Sequence, residues 1–485
     1  MNKLWRRMCR KEDPSVYEQK DAHLARTLRV RDFLALGVGT IVSTAIFTLP
    51  GAVAAAHAGP AVALSFLGAA VVSGLVAFAY AEMSSAMPFA GSAYSWINVI
   101  FGEFFGWLAG WALLAEYFIA VAFVGSGFSA NLQGLLSPLG FKLPTFLAKS
   151  LGAKGGFIDI ISAVVIIAVA LLLSRGMKEA ARVENVLVIA KVLAVILFLV
   201  VGATAIKVQN YVPFIPKYHV NPDGSAFGGW QGIYAGVSMI FLAYIGFDSI
   251  AANSAEARDP QKTMPRGILG SLAIGVVLFV SVSLVLVGMF KYTDYANNAE
   301  PVGWALRQSG HAVIGSIVQA VIVLGMFTAL IGMTMAGSRL IYSFGRDLLL
   351  PKWLGKLNKN NLPNHALLVL TIMAVIVGAI FPFDQLSQLI SAGTLVAFMF
   401  VTLGIYGLRQ REKKDIKNEG FKMPLYPVLP FLGFAGSLVV FLGISTEAKI
   451  YAAGWFLIGI IIYFLYGMKH SYLNKEKEDS QNGTE

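Results

Sequence analysis

The sequence predicts an all-α polytopic membrane protein of about twelve spans. Three observations carry that reading. The chain is 56% hydrophobic and only 13% charged, with a mean hydropathy of +0.68, whereas a soluble chain carries about a quarter charged residues. Long apolar runs recur along the whole length, each near the ~20 residues a helix needs to cross ~30 Å of hydrocarbon. The ten-residue alternation of a membrane β-barrel is absent, which leaves helices to satisfy the backbone in lipid.

In chain order the expected spans are 31–56, 60–87, 99–133, 157–175, 185–206, 229–255, 267–290, 312–346, 365–382, 385–408, 425–443 and 449–468. An even number puts both ends on one side. Lys3, Arg6, Arg7, Arg10, Lys11, Arg26, Arg29 and Arg31 precede span one, and Lys469, Lys475 and Lys477 follow span twelve. Arg175, Lys178 and Arg182, then Arg258, Lys262 and Arg266, then Arg346, Lys352, Lys356 and Lys359 fill loops of that same side, as does RQREKKDIKNEGFK at 409–422. The positive-inside bias makes this side, with both tails (1–30 and 469–485), cytoplasmic. The net charge of +11 is therefore a topology signal and not a nucleic-acid one. Cys9 is the single cysteine and excludes an intrachain disulfide. The charged stretch from Met1 to about Arg31 is not the pattern of a signal peptide.

Two spans are interrupted. Span one contains GVGTIVSTAIFTLPG (37–51), with three glycines, three threonines, a serine and a proline in an apolar run. Span six reads YAGVSMIFLAYIGFDSIAANSAEARDP (234–260), with Gly236, Gly246, Asp248 and Asn253 inside it. They occupy matching positions in two units of five, 31–207 and 229–408, followed by a basic loop (409–424) and two further spans (425–468). Broken helices at matching positions are the sequence mark of an inverted-repeat transporter with a midplane site. Close helix packing would account for the glycines alone.

A broken helix leaves N–H groups on one half and carbonyls on the other, a match for the two ends of an amino acid. Ile41, Val42, Ser43, Thr44 and Ala45 sit near mid-membrane in span one. Phe241, Leu242, Ala243, Tyr244 and Ile245 lie just before Gly246, where span six can unwind. Asp248 either receives the ammonium or caps the second half-helix. Lys191, in ENVLVIAKVLAVILFLVV, is the most isolated charge, and an intramembrane lysine is a functional candidate by default; the alternative is snorkelling toward the interface, seven residues from Glu184. Glu116 is deep enough to touch a substrate side chain or to serve as a buried hydrogen-bonding group, whereas Glu82 reads as structural or as the partner of a loop arginine. The histidines show no metal spacing, and no phosphate-cradling GxxxxGK[ST] stretch occurs. No metal or cofactor is expected.

Four stretches, YAEMSSAMPFAGSAYSW (80–96), FLAYIGFDSIAANSAEARDPQKTMPRGI (241–268), AGSRLIYSFGRDLLLP (336–351) and LISAGTLVAF (389–398), carry a family resemblance. In order and at the right spans, they resemble the amino acid–polyamine–organocation (APC) superfamily, and within it the branched-chain amino acid permeases of lactic acid bacteria. The resemblance implies a LeuT-like 5+5 inverted repeat plus two helices. Its site would set a substrate carboxylate on Ser43, Thr44 and Ala45, and the ammonium on carbonyls near Ile41, Leu242 and Ile245. Lys191 matches the lysine that replaces a sodium ion in some relatives, which implies proton coupling. Met326, in VLGMFTALIGM, falls where span eight shapes the side-chain pocket, and a bulky apolar residue there suits aliphatic substrates. Three departures stand out. Ser43 and Ala45, not glycines, flank Thr44; Leu242, with Phe241 beside it, holds the place of the common gating aromatic; and Leu348 stands where RDGxLP has glycine.

The expected function is secondary transport of neutral aliphatic amino acids, imported with protons across a bacterial cell membrane. The rival within the class is an exchanger without net proton uptake. An ion channel would want a ring of pore-lining charges or carbonyls, and a nutrient sensor an added terminal domain; the sequence has neither.

Overall fold

In the computed structural model, residues 3–473 are described, apart from 22–25, 90, 138–139, 176, 223, 297, 299, 360–361 and 417. Among them the chain forms twelve apolar helical crossings. Span one is Val30–Ile41 and Thr44–Val53; spans two to five are Val62–Ala86, Glu103–Leu136, Ile160–Arg175 and Met177–Ala203. Span six is Gly229–Ile240 and Phe247–Ala252; spans seven to ten are Pro260–Met289, Ala312–Arg346, Asn364–Ile380 and Phe383–Arg411; spans eleven and twelve are Val428–Gly443 and Thr446–Ile462. The protein is an all-α polytopic membrane protein. The side chains of Lys178, Arg182 and Glu184, and the tail that holds Lys475 and Lys477, lie outside the described residues.

Span five begins at Met177 rather than 185, and three further differences from the hydropathy reading stand out. The expected third span, 99–133, is two helices, Ala93–Phe101 and Glu103–Leu136, divided at Gly102. Gly102 has φ of 111° and packs against the backbone of Cys9, so the turn needs a residue without a Cβ. Span seven begins seven residues earlier than its apolar run, at Pro260, because proline at the first helical position needs no N–H partner. The loop 291–311 contains a short helix, Pro301–Gln308, which packs on the second half of span one.

Packing follows a five-span offset. Span two lies against span seven, three against eight, and four against nine. The two interrupted spans meet as well: a Cβ on Gly246 would lie 3.1 Å from the Thr40 side chain and 3.2 Å from that of Ile41. Small residues make these approaches. Gly37 faces Ile250 and Ser271, and Gly39 faces Val188, so both glycines of the opening GVG serve packing.

Both described ends lie on one face. Arg7 donates to the carbonyl of Met468 (2.7 Å), Arg10 to that of Leu473, and the Glu103 amide to the Arg10 carbonyl (2.9 Å). The N-terminal segment then crosses this face. Tyr17 is fully buried, stacked on Phe89 at 5.3 Å between ring centres, and accepts a hydrogen bond from Asn98 Nδ2 at 2.9 Å. Burial, with Asp347 nearby, pushes the Tyr17 phenol well above its usual range. Farther on, Leu28 pairs with Ala257 in the connection between spans six and seven. The opposite face opens into a cavity of about 650 Å³, lined among others by Thr48, His57, Gly127, Asn221, Met239 and Asp384. This cavity reaches the second half of span one from the face opposite the described ends.

Glu82 is fully buried and pairs with Arg409 (2.9 Å), at the end of span ten, while its other oxygen accepts the Met423 amide (2.6 Å). It ties span two to the 409–424 loop, the arginine partnership read from the sequence. Removing one partner of such a buried pair costs about 3–5 kcal/mol. Arg409→Met should therefore lower the thermal unfolding midpoint of detergent-purified protein clearly, whereas Lys413→Met, in the same loop, should leave it unchanged.

Candidate functional site

The break in span one begins with one diverted amide. After Ile41 the chain leaves the helix at Val42 and Ser43. The Ser43 N–H, which an unbroken helix would give to Gly39, bonds instead to the Ile41 carbonyl at 2.8 Å. The Gly39 carbonyl is left without its helical donor, and Lys191 Nζ from span five donates to it. The same ammonium donates to Thr328 Oγ1 of span eight at 2.8 Å. Lys191 is fully buried, so the snorkelling alternative is excluded: the side chain runs into the bundle, not to the interface. Spans one, five and eight meet at this one ammonium.

The second half of span one starts at Thr44, with Ser43 in the N-cap position but its side chain making no cap hydrogen bond. The first N–H groups of that half, those of Thr44 and Ala45 among them, therefore have no side-chain cap. Thr44 is fully buried and its Oγ1 has no hydrogen-bond partner, while its carbonyl accepts Thr48 Oγ1 at 2.9 Å. An uncapped helix start with a buried spare hydroxyl is a receptor for an anion.

Span six breaks where Gly246 marks it. Phe241–Tyr244 tighten into a 3₁₀ turn, Ile245 is extended, and Gly246 takes φ of 140°. That conformation suits only glycine. The Leu242 carbonyl accepts the Ile245 amide at 3.1 Å, and the Ile41 carbonyl accepts Ser43, so each keeps one lone pair for a further donor. Asp248 Oδ1 accepts the Gly246 amide at 3.1 Å and Oδ2 accepts the Tyr117 hydroxyl at 2.8 Å. Asp248 thus links the Gly246 amide at the break to Tyr117 of span three.

The remaining candidates separate by direction. Tyr244 points away from span one: its hydroxyl donates to the Phe66 carbonyl (3.0 Å) and its ring packs on Phe66 and Phe279. Only its backbone stays at the break. Phe241 is buried against Phe398 of span ten, 5.9 Å between centres. Glu116 is fully buried beside Asp248 and Thr394, one residue before Tyr117, and so belongs to a polar cluster below the breaks. Leu242, Ala243, Ile245 and Met326 are buried apolar residues. Sequence reasoning missed Thr328, Tyr117, Gly127 and Met239. Thr328 and Tyr117 are single polar atoms in apolar helices, with nothing in their spacing to name a partner in another span.

A profile of the amino acid permease family matches residues 28–467. The chain is 64% identical over 458 residues to the branched-chain amino acid permease BcaP of Lactococcus lactis subsp. cremoris (strain MG1363), an alignment covering 94% of this chain and 98% of that protein. It is 35% identical over 460 residues to the methylthioribose transporter of Bacillus subtilis (strain 168), covering 94% and 97% of the two chains. The branched-chain amino acid permease BcaP of the same Bacillus strain is 35% identical over 456 residues, covering 93% and 95%. The chain belongs to the amino acid permease family.

Proposed function

We propose that this protein imports branched-chain aliphatic amino acids by alternating access, with a proton carried on Lys191. The observation that carries the reading is the bond from the buried Lys191 ammonium to the carbonyl opened by the break in span one. The 64% identical Lactococcus relative bears the name of a branched-chain amino acid permease, and the buried apolar residues Leu242, Ile245 and Met326 suit an aliphatic side chain. The substrate carboxylate meets the uncapped start at Thr44 and Ala45, with Ser43 beside them, and the ammonium meets the spare lone pairs of Ile41 and Leu242 and the carbonyl of Ile245. Asp248 holds the break through the Gly246 amide and the Tyr117 hydroxyl rather than the substrate, with the buried Glu116 beside it.

By the positive-inside bias the face with both termini is cytoplasmic, and the 650 Å³ cavity then opens outward. The five-span packing offset supports two inverted units, 31–207 and 229–408. Proton coupling follows from bond strength. The charged ammonium makes charge-assisted bonds to Gly39 and Thr328, and a neutral amine makes weaker ones with fewer donors. Loss of the proton frees the first half of span one from spans five and eight, and movement of that half opens the cytoplasmic face. A second reading has its own observation: the ammonium replaces a missing backbone donor, a role a permanently charged lysine fills equally. The protein would then exchange one amino acid for another.

Uptake of labelled leucine, isoleucine and valine by purified protein in liposomes should rise several-fold when the outside is acidified. Lys191→Ala should abolish that accumulation, and accumulation at the wild-type level would overturn the coupling role. Exchange without coupling would instead show full counterflow and no response to a pH gradient. Met326→Ser should admit longer or cationic side chains in competition assays; an unchanged competition profile would remove Met326 from the pocket.

A further inference from the structure

We propose that Gly127 of span three is a positioning residue for substrate, because it fixes the side-chain rotamer of Thr44. The inference rests on the reading that Thr44 meets the substrate carboxylate. Gly127 lies at the floor of the outer cavity together with Thr48, one helical turn from Thr44. The missing Cβ of Gly127 leaves a space that the Thr44 methyl fills: a Cβ there would fall well inside contact with Thr44 Cγ2, and 3.3 Å from Oγ1. Threonine, branched at Cβ, has three staggered χ1 wells. Placing the methyl in the Gly127 hollow selects one of them and so decides where the hydroxyl points. That hydroxyl is fully buried and has no partner among the described residues, which is the state of a donor held for a ligand.

The consequence is a reciprocal pair of variants. Gly127→Ala fills the hollow, forces the Thr44 methyl out and turns the hydroxyl away from the carboxylate. Losing a hydrogen bond to a charged group should raise KM about tenfold or more, with maximal rate changed much less and the substrate order kept. Thr44→Ser keeps the hydroxyl but loses the methyl that anchors it, so the hydroxyl spreads over three wells and KM should rise about threefold. In the double variant Gly127→Ala/Thr44→Ser, the alanine methyl occupies the space the threonine methyl left. KM should fall below that of either single variant.

The test is the KM and maximal rate of leucine uptake in proteoliposomes for these three variants and Thr44→Val. The last keeps the shape and removes the donor. An unchanged KM in Thr44→Val would overturn the placement of Thr44 at the carboxylate. A raised KM there, with no recovery in the double variant, would overturn the role of Gly127 alone. A merely structural glycine would lower maximal rate and thermal stability in Gly127→Ala and leave KM in place. Should Gly127→Ala fail to reach the membrane, Thr44→Ser against the double variant decides the matter, since tighter binding by the double variant is the expected sign.

Discussion

Everything at the centre of this protein depends on one open carbonyl. The Ser43 amide turns to Ile41, and Gly39 is left needing a donor in a region where water cannot supply one. An unmet backbone acceptor in hydrocarbon costs several kcal/mol. Lys191 meets it and joins span one to spans five and eight in the same act. A charge that would be expensive in lipid and a carbonyl that would be expensive unpaired offset each other. The break in span one is therefore held across three spans by one side chain.

The break in span six is held differently. Its bonds are local and lateral: Asp248 returns to the Gly246 amide, and Tyr117 fastens that carboxyl to span three. The Gly246 backbone lies against Thr40 and Ile41. One interrupted span is thus anchored to the scaffold by a titratable side chain and the other by hydroxyl and carboxyl groups. The two breaks are thus held by different chemistry, span one by an ammonium and span six by a carboxylate and a hydroxyl.

The face carrying the described ends is bridged by the N-terminal segment. Tyr17 is inserted beside Phe89 and Asn98, Arg7 and Arg10 hold the end of span twelve, and Leu28 pairs with the connection after span six. Spans three, six–seven and twelve are thereby joined on this face by a single N-terminal segment. At Leu348 the chain pays for its departure from the family glycine: the residue adopts φ of 61°, a conformation that costs a side chain roughly 1–2 kcal/mol.

Hydropathy and composition, acting residue by residue, determined the number of crossings, their order and the place of both breaks. Gly246 and the Ser43-Thr44 pair were legible because helix-weakening residues have no other reason to gather in lipid. The arginine partner of Glu82 could be expected from a buried acid near a basic loop. Partnerships between distant spans were not legible, since any of many polar atoms in apolar helices can find any other. Only the tertiary structure decided that Lys191 seeks Gly39 and Thr328, that Tyr244 turns outward to Phe66, and that Gly127 shapes the space around Thr44. The physical reason is the same throughout: local preference is written along the chain, whereas a hydrogen bond across 152 residues exists only when packing brings its two ends together.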